Sequence, residues 1–175
     1  MSKPKRPLRR RTRTGASSTP SAKRKASPRR EPTAPRARHY YDVRQYAILT
    51  DEKGHVLILQ LPREYDETAA NTWTLPGGKL EPTDNPAEGL LREIAEETGL
   101  NPTPPLLCGI ARWTTRASKK LGIFYRTQVK GTTPDLKLSD EHQRAVWVAP
   151  TELAGFPFHR PEMLGVLREA LNLPA

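Results

Sequence analysis

Residues 40–61 first alternate between apolar and polar positions and then turn almost continuously apolar. "YYDVRQYAILT" is rich in Tyr, Val and Ile and predicts a strand. "DEKG" reads as a turn and "HVLILQL" as a second, more buried strand, so a hairpin is expected over 40–61. The polar stretch "PREYDETAAN" predicts a loop, and "TWTL" a short strand running into "PGG". Asn85, Pro86 and Glu88 suit the N-cap, first and third positions of a helix, and Gly99 suits its stop, so a helix is predicted over 86–98. "PLLCGIARWTT" and "LGIFYRTQVKG" read as strands paired through "RASKK", and "RAVWVAP" as another. "PTELAGF" and "PEMLGVLREALNL" predict closing helices, the second with Met163, Leu164, Leu167 and Leu171 at near-helical spacing. Strands and helices mix without a βαβ repeat, which predicts an α/β fold with a mixed sheet and helices on its faces.

Composition divides this chain in two. Of 29 Lys and Arg, 14 fall within residues 1–38 beside a single acid, Glu31, so that segment carries +13; the other 137 residues sum to −3. The first segment has one Leu, no aromatic residue and six prolines, too little apolar surface to offset the entropy of ordering, and predicts a disordered Arg/Lys/Pro-rich tail. Residues 39–175 are long enough for one core and are expected to form a single domain. The one cysteine, Cys108, excludes an intrachain disulfide and lies in the apolar run "LLCGIA", which predicts a core thiol. No apolar run approaches the roughly 20 residues needed to span a membrane, and the N-terminus lacks the apolar core of a secretory signal. A location inside the cell is expected, cytoplasmic or, in a eukaryote, nuclear.

The predicted helix concentrates acid. At about 100° per residue, with Glu93 at zero, Glu96 falls near −60° and Glu97 near +40°, while Leu90 sits near +60° and Ala87, Leu91, Ile94 and Thr98 between roughly +100° and +160°. Like charges at this spacing repel by roughly 0.2–0.5 kcal/mol per pair. One reading is a solvated face with Arg92 pairing Glu88 or Glu96. The other is a divalent-cation site, since Mg²⁺ is held by a few carboxylates together with phosphate oxygens. Gly77-Gly78, directly after a strand and a Pro, lets backbone approach metal or phosphate closely.

The stretch "GKLEPTDNPAEGLLREIAEETGL", residues 78–100, resembles the Nudix box of the Nudix hydrolases: Gly78, Arg92, Glu93, Ile94, Glu96, Glu97, Gly99 and Leu100 stand at matching spacing. Asp84 departs from the pattern, standing where the family has Glu. The shorter side chain bears on whatever contact that residue makes, which is expected to be to Arg92. The resemblance implies an α/β/α sandwich over about 39–175. It also implies hydrolysis of a nucleoside diphosphate linked to another group, with Mg²⁺ or Mn²⁺ as cofactor. It implies Glu93 and Glu97 as metal ligands, Glu96 as a third, the Gly78 carbonyl as a further one, and Arg92 as the residue that orients a carboxylate. Gly77 and Gly78 are expected at the substrate.

Such a site commonly recruits an acid from outside the helix, and "SDEHQRAVWV" offers Asp140 and Glu141; Glu141, six residues before Trp147, is preferred. The neighbouring His142 reads as a surface loop residue. The Pro of the ADP-ribose subset and the Tyr of the diadenosine-polyphosphate subset are both missing from their places beyond the box, so the nucleotide is left open. Trp73, Trp113, Phe124 and Tyr125 are candidates for stacking a base, against the alternative that they are core. The tail's runs, with Arg9, Arg10, Arg11, Lys23, Arg24 and Lys25, suit non-specific contact with nucleic acid, a nuclear-type address or a spacer. Two alternatives accompany the nucleotide-hydrolase reading: RNA 5′-end pyrophosphohydrolysis guided by the tail, and a non-catalytic Nudix-like binding module.

Overall fold

The computed structural model describes residues 40–64 and 69–174; the tail, with its six candidate cations, and part of the "PREYDETAAN" stretch lie outside them. Among the described residues no helix is long and apolar enough to cross a membrane.

The strands are β1 (Tyr41–Thr50), β2 (Val56–Gln60), β3 (Trp73–Thr74), β4 (Leu106–Thr114), β5 (Lys119–Gln128) and β6 (Arg144–Val148), and the helices α1 (Pro86–Thr98) and α2 (Pro161–Ala170). They form one mixed sheet in the order β3-β2-β1-β5-β4, with β6 on β2. β1 and β2 are antiparallel as expected, yet they share only the Thr50↔Val56 register pair. The long partner of β1 is β5, parallel from Tyr41↔Lys119 to Thr50↔Gln128. Alternation reveals a strand but not its neighbour, and this pairing is non-local. β4 and β5 pair antiparallel around the Thr115–Ser118 turn, with a bulge between Leu107 and Gly109. The "PTELAGF" segment is a 3-10 turn, Pro150–Gly155, rather than an α-helix.

Two apolar clusters sandwich the sheet. On one face Tyr46, Ile48, Trp113 and Phe124 meet Met163, Val166 and Leu167 of α2. On the other, Ala47, Leu49, Leu57 and Leu59 meet Leu90 and Ile94 of α1. Cys108 is half-buried against the first cluster, its thiol directed at the Phe124 carbonyl. Leu106, Leu107 and Ile110 on the outermost strand β4 remain exposed.

The segment from Pro76 to Leu80 lies along the free side of β1. Ala47 N–H donates to the Pro76 carbonyl (2.8 Å), Gln45 N–H to the Gly78 carbonyl (2.9 Å), and Leu80 N–H to the Val43 carbonyl (3.0 Å). Gly77 is left at φ 135°, and a Cβ there would fall 2.2 Å from the Gln45 carbonyl oxygen. The backbone can hug β1 only because this residue has no side chain. α1 is capped as its sequence predicts: Asn85 Oδ1 accepts from Ala87 N–H (3.0 Å) and Gly99 closes the helix at φ 73°. The buried amide of Gln45, in the orientation its neighbours dictate, donates to the Pro86 carbonyl (2.7 Å) and accepts from Leu90 N–H (3.0 Å), tying β1 to the first turns of α1.

Gly77→Ala should therefore unfold the protein far more readily than Gly54→Ala. Gly54 also has positive φ (81°), but nothing lies within 4 Å of an added Cβ. The expected losses are about 3 kcal/mol or more at Gly77 against roughly 1 kcal/mol at Gly54, read by denaturant melts. Equal losses would show that the close approach to β1 is not what selects glycine.

Candidate active site

The helix buries a strip of Leu90, Ile94, Glu97 and Thr98, with Gly89 buried beside it. Residues 90, 94 and 97 follow i, i+4, i+7, so Glu97 stands in line with core residues, whereas Glu96 is 64 % exposed. The Glu97 carboxylate accepts from Gly77 N–H (2.8 Å). Burial, and then Glu93, Glu141 and Glu96 nearby, push its pKa up to about 8 against the lowering effect of that hydrogen bond. Glu93 is also raised, by burial first and the charge of Glu96 second. A Cβ on Gly78 would lie 2.6 Å from Glu93 Oε2, so this carboxylate rests directly on the glycine backbone.

Arg92 holds three acids. It reaches Asp84 through both terminal nitrogens (3.0 and 3.5 Å), Glu93 at 3.8 Å and Glu96 at 3.8 Å. The expected partnership of Arg92 with Asp84 is thus present in spite of the shorter side chain. Its effect on Arg92 is a raised pKa, caused chiefly by the Asp84 hydrogen bond.

The loop before β6 closes over Glu97. Lys137 N–H donates to the Thr98 carbonyl, Ser139 N–H to the Glu97 carbonyl and Gln143 N–H to the Gln60 carbonyl (2.9, 3.0 and 3.1 Å). This anchoring brings Glu141 to the same cavity as Glu93 and Glu97, while Asp140 does not line it. It also corrects the reading of His142 as a surface residue. His142 is 7 % exposed, with Nε2 3.7 Å from Glu97 Oε1, and burial pushes its pKa down to about 4. Burial drives the imidazole and the carboxyl alike to their neutral forms, so at neutral pH this is a contact of uncharged groups rather than an ion pair. Nothing in the local sequence marks His142; its burial comes from backbone bonds to residues some 40 positions earlier.

The cavity has a volume of about 1080 Å³ and extends from these acids across the sheet face covered by α2. Tyr46 and Trp113 lie on its floor with ring centroids 6.3 Å apart. Of the four stacking candidates only Trp113 reaches it. Phe124 is wholly buried, Trp73 packs edge-on against Phe156, and half-buried Tyr125 sits against the α1-side cluster. Gly77 and Gly78 line the acidic end, but Gly77 N–H is taken by Glu97 and the Gly78 carbonyl already accepts from Gln45, leaving one lone pair. Among the described residues no three His, Cys, Asp or Glu side chains gather closely enough to hold a metal ion by themselves.

The family profile described as "NUDIX domain" matches residues 41–169. The chain belongs to the Nudix family. Membership brings with it the reaction class, hydrolysis of a phosphoric anhydride bond. Among curated Nudix relatives, it is 29 % identical over 111 residues to the CTP pyrophosphohydrolase of Escherichia coli K12, a match covering 63 % of this chain and 78 % of the relative. It is 31 % identical over 107 residues to a MutT-like protein of Streptomyces ambofaciens, covering 61 % of this chain and 63 % of that protein. It is 33 % identical over 84 residues to the asymmetrical bis(5′-nucleosyl)-tetraphosphatase of Mus musculus, covering 46 % and 57 %. The latter two are thus matched over less than two thirds of their length. The crystal structure of the MutT protein from Methanosarcina mazei Go1 superimposes with a TM-score of 0.68 at 28 % identity, over 78 % of this chain and 96 % of that one. The mixed sheet between helices is the Nudix fold.

The raised pKa of Glu97 has a signed consequence. A carboxyl whose folded pKa exceeds its ordinary 4.5 contributes stability that is complete below 4.5 and lost as pH rises through about 8. In EDTA the melting temperature of Glu97→Gln minus that of the parent should therefore climb between about pH 5 and 8 and then level off. A difference that stays flat or falls would mean the metal-free carboxyl is ionised throughout.

Proposed function

We propose that this Nudix protein is a divalent-metal-dependent hydrolase that cuts a diphosphate linkage in a nucleoside diphosphate joined to another group. The observation that carries the reading is that Glu93, Glu97 and Glu141 all line one nucleotide-sized cavity whose floor is aromatic. Three relatives named for CTP, dinucleoside tetraphosphate and 8-oxo-dGTP support the substrate class.

The residues suit the ion. The donors are hard carboxylate oxygens, preferred by Mg²⁺ and Mn²⁺, and Mg²⁺ is typically held by one or two carboxylates completed by phosphate oxygens and water. Two carboxylates with raised pKa values are an unstable arrangement that a cation would relieve. Glu93 and Glu97 would hold it, with Glu96, which is exposed and does not line the cavity, as the third acid and the remaining lone pair of the Gly78 carbonyl as a further donor. The ion, when bound, supplies neutralisation of the diphosphate and acidification of water. Arg92, anchored by Asp84, orients Glu93 and Glu96. Glu141 takes the proton from the water that attacks phosphorus as the anhydride oxygen departs. His142, lining the same cavity 3.7 Å from Glu97 Oε1, limits how far that carboxylate can move. The reading with RNA 5′ ends as substrate is favoured by one observation, the +13 charge of residues 1–38, which suits contact with a phosphate backbone.

The test is a panel of nucleoside di- and triphosphates and their conjugates with Mg²⁺, repeated in EDTA. Turnover of at least one nucleotide, abolished by the chelator, is expected. In that assay Glu97→Gln should lower kcat by orders of magnitude while circular dichroism stays native, and Glu141→Gln by about 10²-fold, as for loss of a general base. A folded Glu97→Gln protein retaining half its activity would remove the metal assignment, and a change below about threefold for Glu141→Gln would remove the base.

A further inference from the structure

The cavity's far wall carries charge that cutting a diphosphate does not use. Besides three carboxylates, its lining includes Arg44, Lys79, Lys120, Arg116 and Arg160. Four of these fall in strand order. Lys79 bridges Arg44 across the first edge of β1. Lys120 on β5 is in register with Asp42 on β1 and with Trp113 on β4, and Arg116 stands in the turn that follows β4. Three inter-strand spacings of about 4.8 Å separate the Gly78 loop from β4, so the row runs on the order of 14 Å away from the acidic end.

Its charges are only partly cancelled. Lys79 is matched by Glu81 at 3.3 Å. Lys120 and Arg44 share one acid, Asp42, which stands between them. Among the described residues Arg116 has no ion pair, so Arg44, Lys120 and Arg116 present three cations against one acid. Asp42 also fixes the two it holds: Lys120 is only 16 % and Arg44 31 % exposed on their side chains, so neither is a freely solvated surface charge. Two part-buried cations and an exposed third lining one cavity, with a single acid among them, suit an anion.

The geometry points to a second phosphate subsite formed by Arg44, Lys120 and Arg116, selecting substrates that carry at least one phosphate beyond the diphosphate being cut. This rests on the nucleotide-hydrolase reading for the site's chemistry but not for its charge. The extra phosphate can come from a longer polyphosphate chain or from the phosphodiesters of a 5′-phosphorylated oligonucleotide.

The experiment uses the full chain at one fixed salt concentration with Mg²⁺. It compares ADP-ribose, which has no extra phosphate, with adenosine 5′-tetraphosphate and a 5′-triphosphorylated ten-nucleotide RNA. Arg116 is exposed and without an ion pair, so Arg116→Ala should fold normally. It should lower the preference in kcat/KM for an extended substrate over ADP-ribose about ten-fold, through KM, the loss of roughly one charged contact. Combination with Lys120→Met should deepen that loss. A response confined to the tetraphosphate identifies the source as nucleoside polyphosphates, and one confined to the RNA identifies nucleic-acid 5′ ends. An unchanged ratio in both variants overturns the subsite while leaving the hydrolase reading intact. Calorimetric binding of inorganic tripolyphosphate, expected to weaken about ten-fold in Arg116→Ala, decides the subsite independently of turnover. The tail is the same in both proteins and cancels from the comparison. If the parent cleaves nothing on the panel, the hydrolase reading fails, and the tripolyphosphate result still supports or sinks the anion site.

Discussion

The hydrogen bond from Gly77 N–H to the buried carboxylate of Glu97 joins the elements on which the site depends. It pulls the loop after β3 against α1, and the same loop is stitched to β1 by Ala47, Gln45 and Leu80. A carboxyl in that position is strongly desolvated, which is costly for a charged group. The fold tolerates it because the carboxyl can take up a proton. Under the proposed function stability and chemistry are opposed at one residue: the burial that makes Glu97 an uncomfortable core side chain would make it a receptive metal ligand.

Arg92 plays the complementary part on the exposed side of α1. One guanidinium spans Asp84, Glu93 and Glu96, so mutual repulsion among the helix acids is offset by a single fixed fork. A lysine has one point charge and could not serve three partners in this way. The loop that carries Asp84 approaches α1 closely enough for the shorter acid to keep its bidentate contact. The substitution relative to the family pattern is therefore absorbed by backbone placement rather than by loss of the interaction.

What was legible in the sequence followed the range of the forces involved. α1 was readable to the residue because its caps, Asn85, Pro86 and Gly99, are local devices, and the acid spacing on it was readable because helical geometry is regular. The strands were readable as strands from alternation. Their partners were not, since β1 joins β5 across some 78 positions and meets β2 at one residue pair. The surface place expected for His142 fails for the same reason: its burial is made by backbone bonds from Lys137 and Ser139 to α1. The cation row was equally hidden, because Arg44 lies more than 70 positions before Arg116 and Lys120 of the β4–β5 hairpin and joins them only through the parallel β1–β5 register.

The outermost strand β4 shows Leu106, Leu107 and Ile110 to solvent beside a backbone edge that no other described strand pairs. Such an edge invites strand addition by another molecule, and net charge is one of the ways proteins keep their copies apart. Here that charge is lopsided: residues 1–38 carry +13 and the remainder −3. Trimming the basic segment to simplify purification or crystal growth would strip the charge of the preparation from +10 to −3 while leaving the sticky edge untouched. The chain with its basic segment therefore has the larger net charge, +10 against −3, with which to hold the exposed edges of its copies apart.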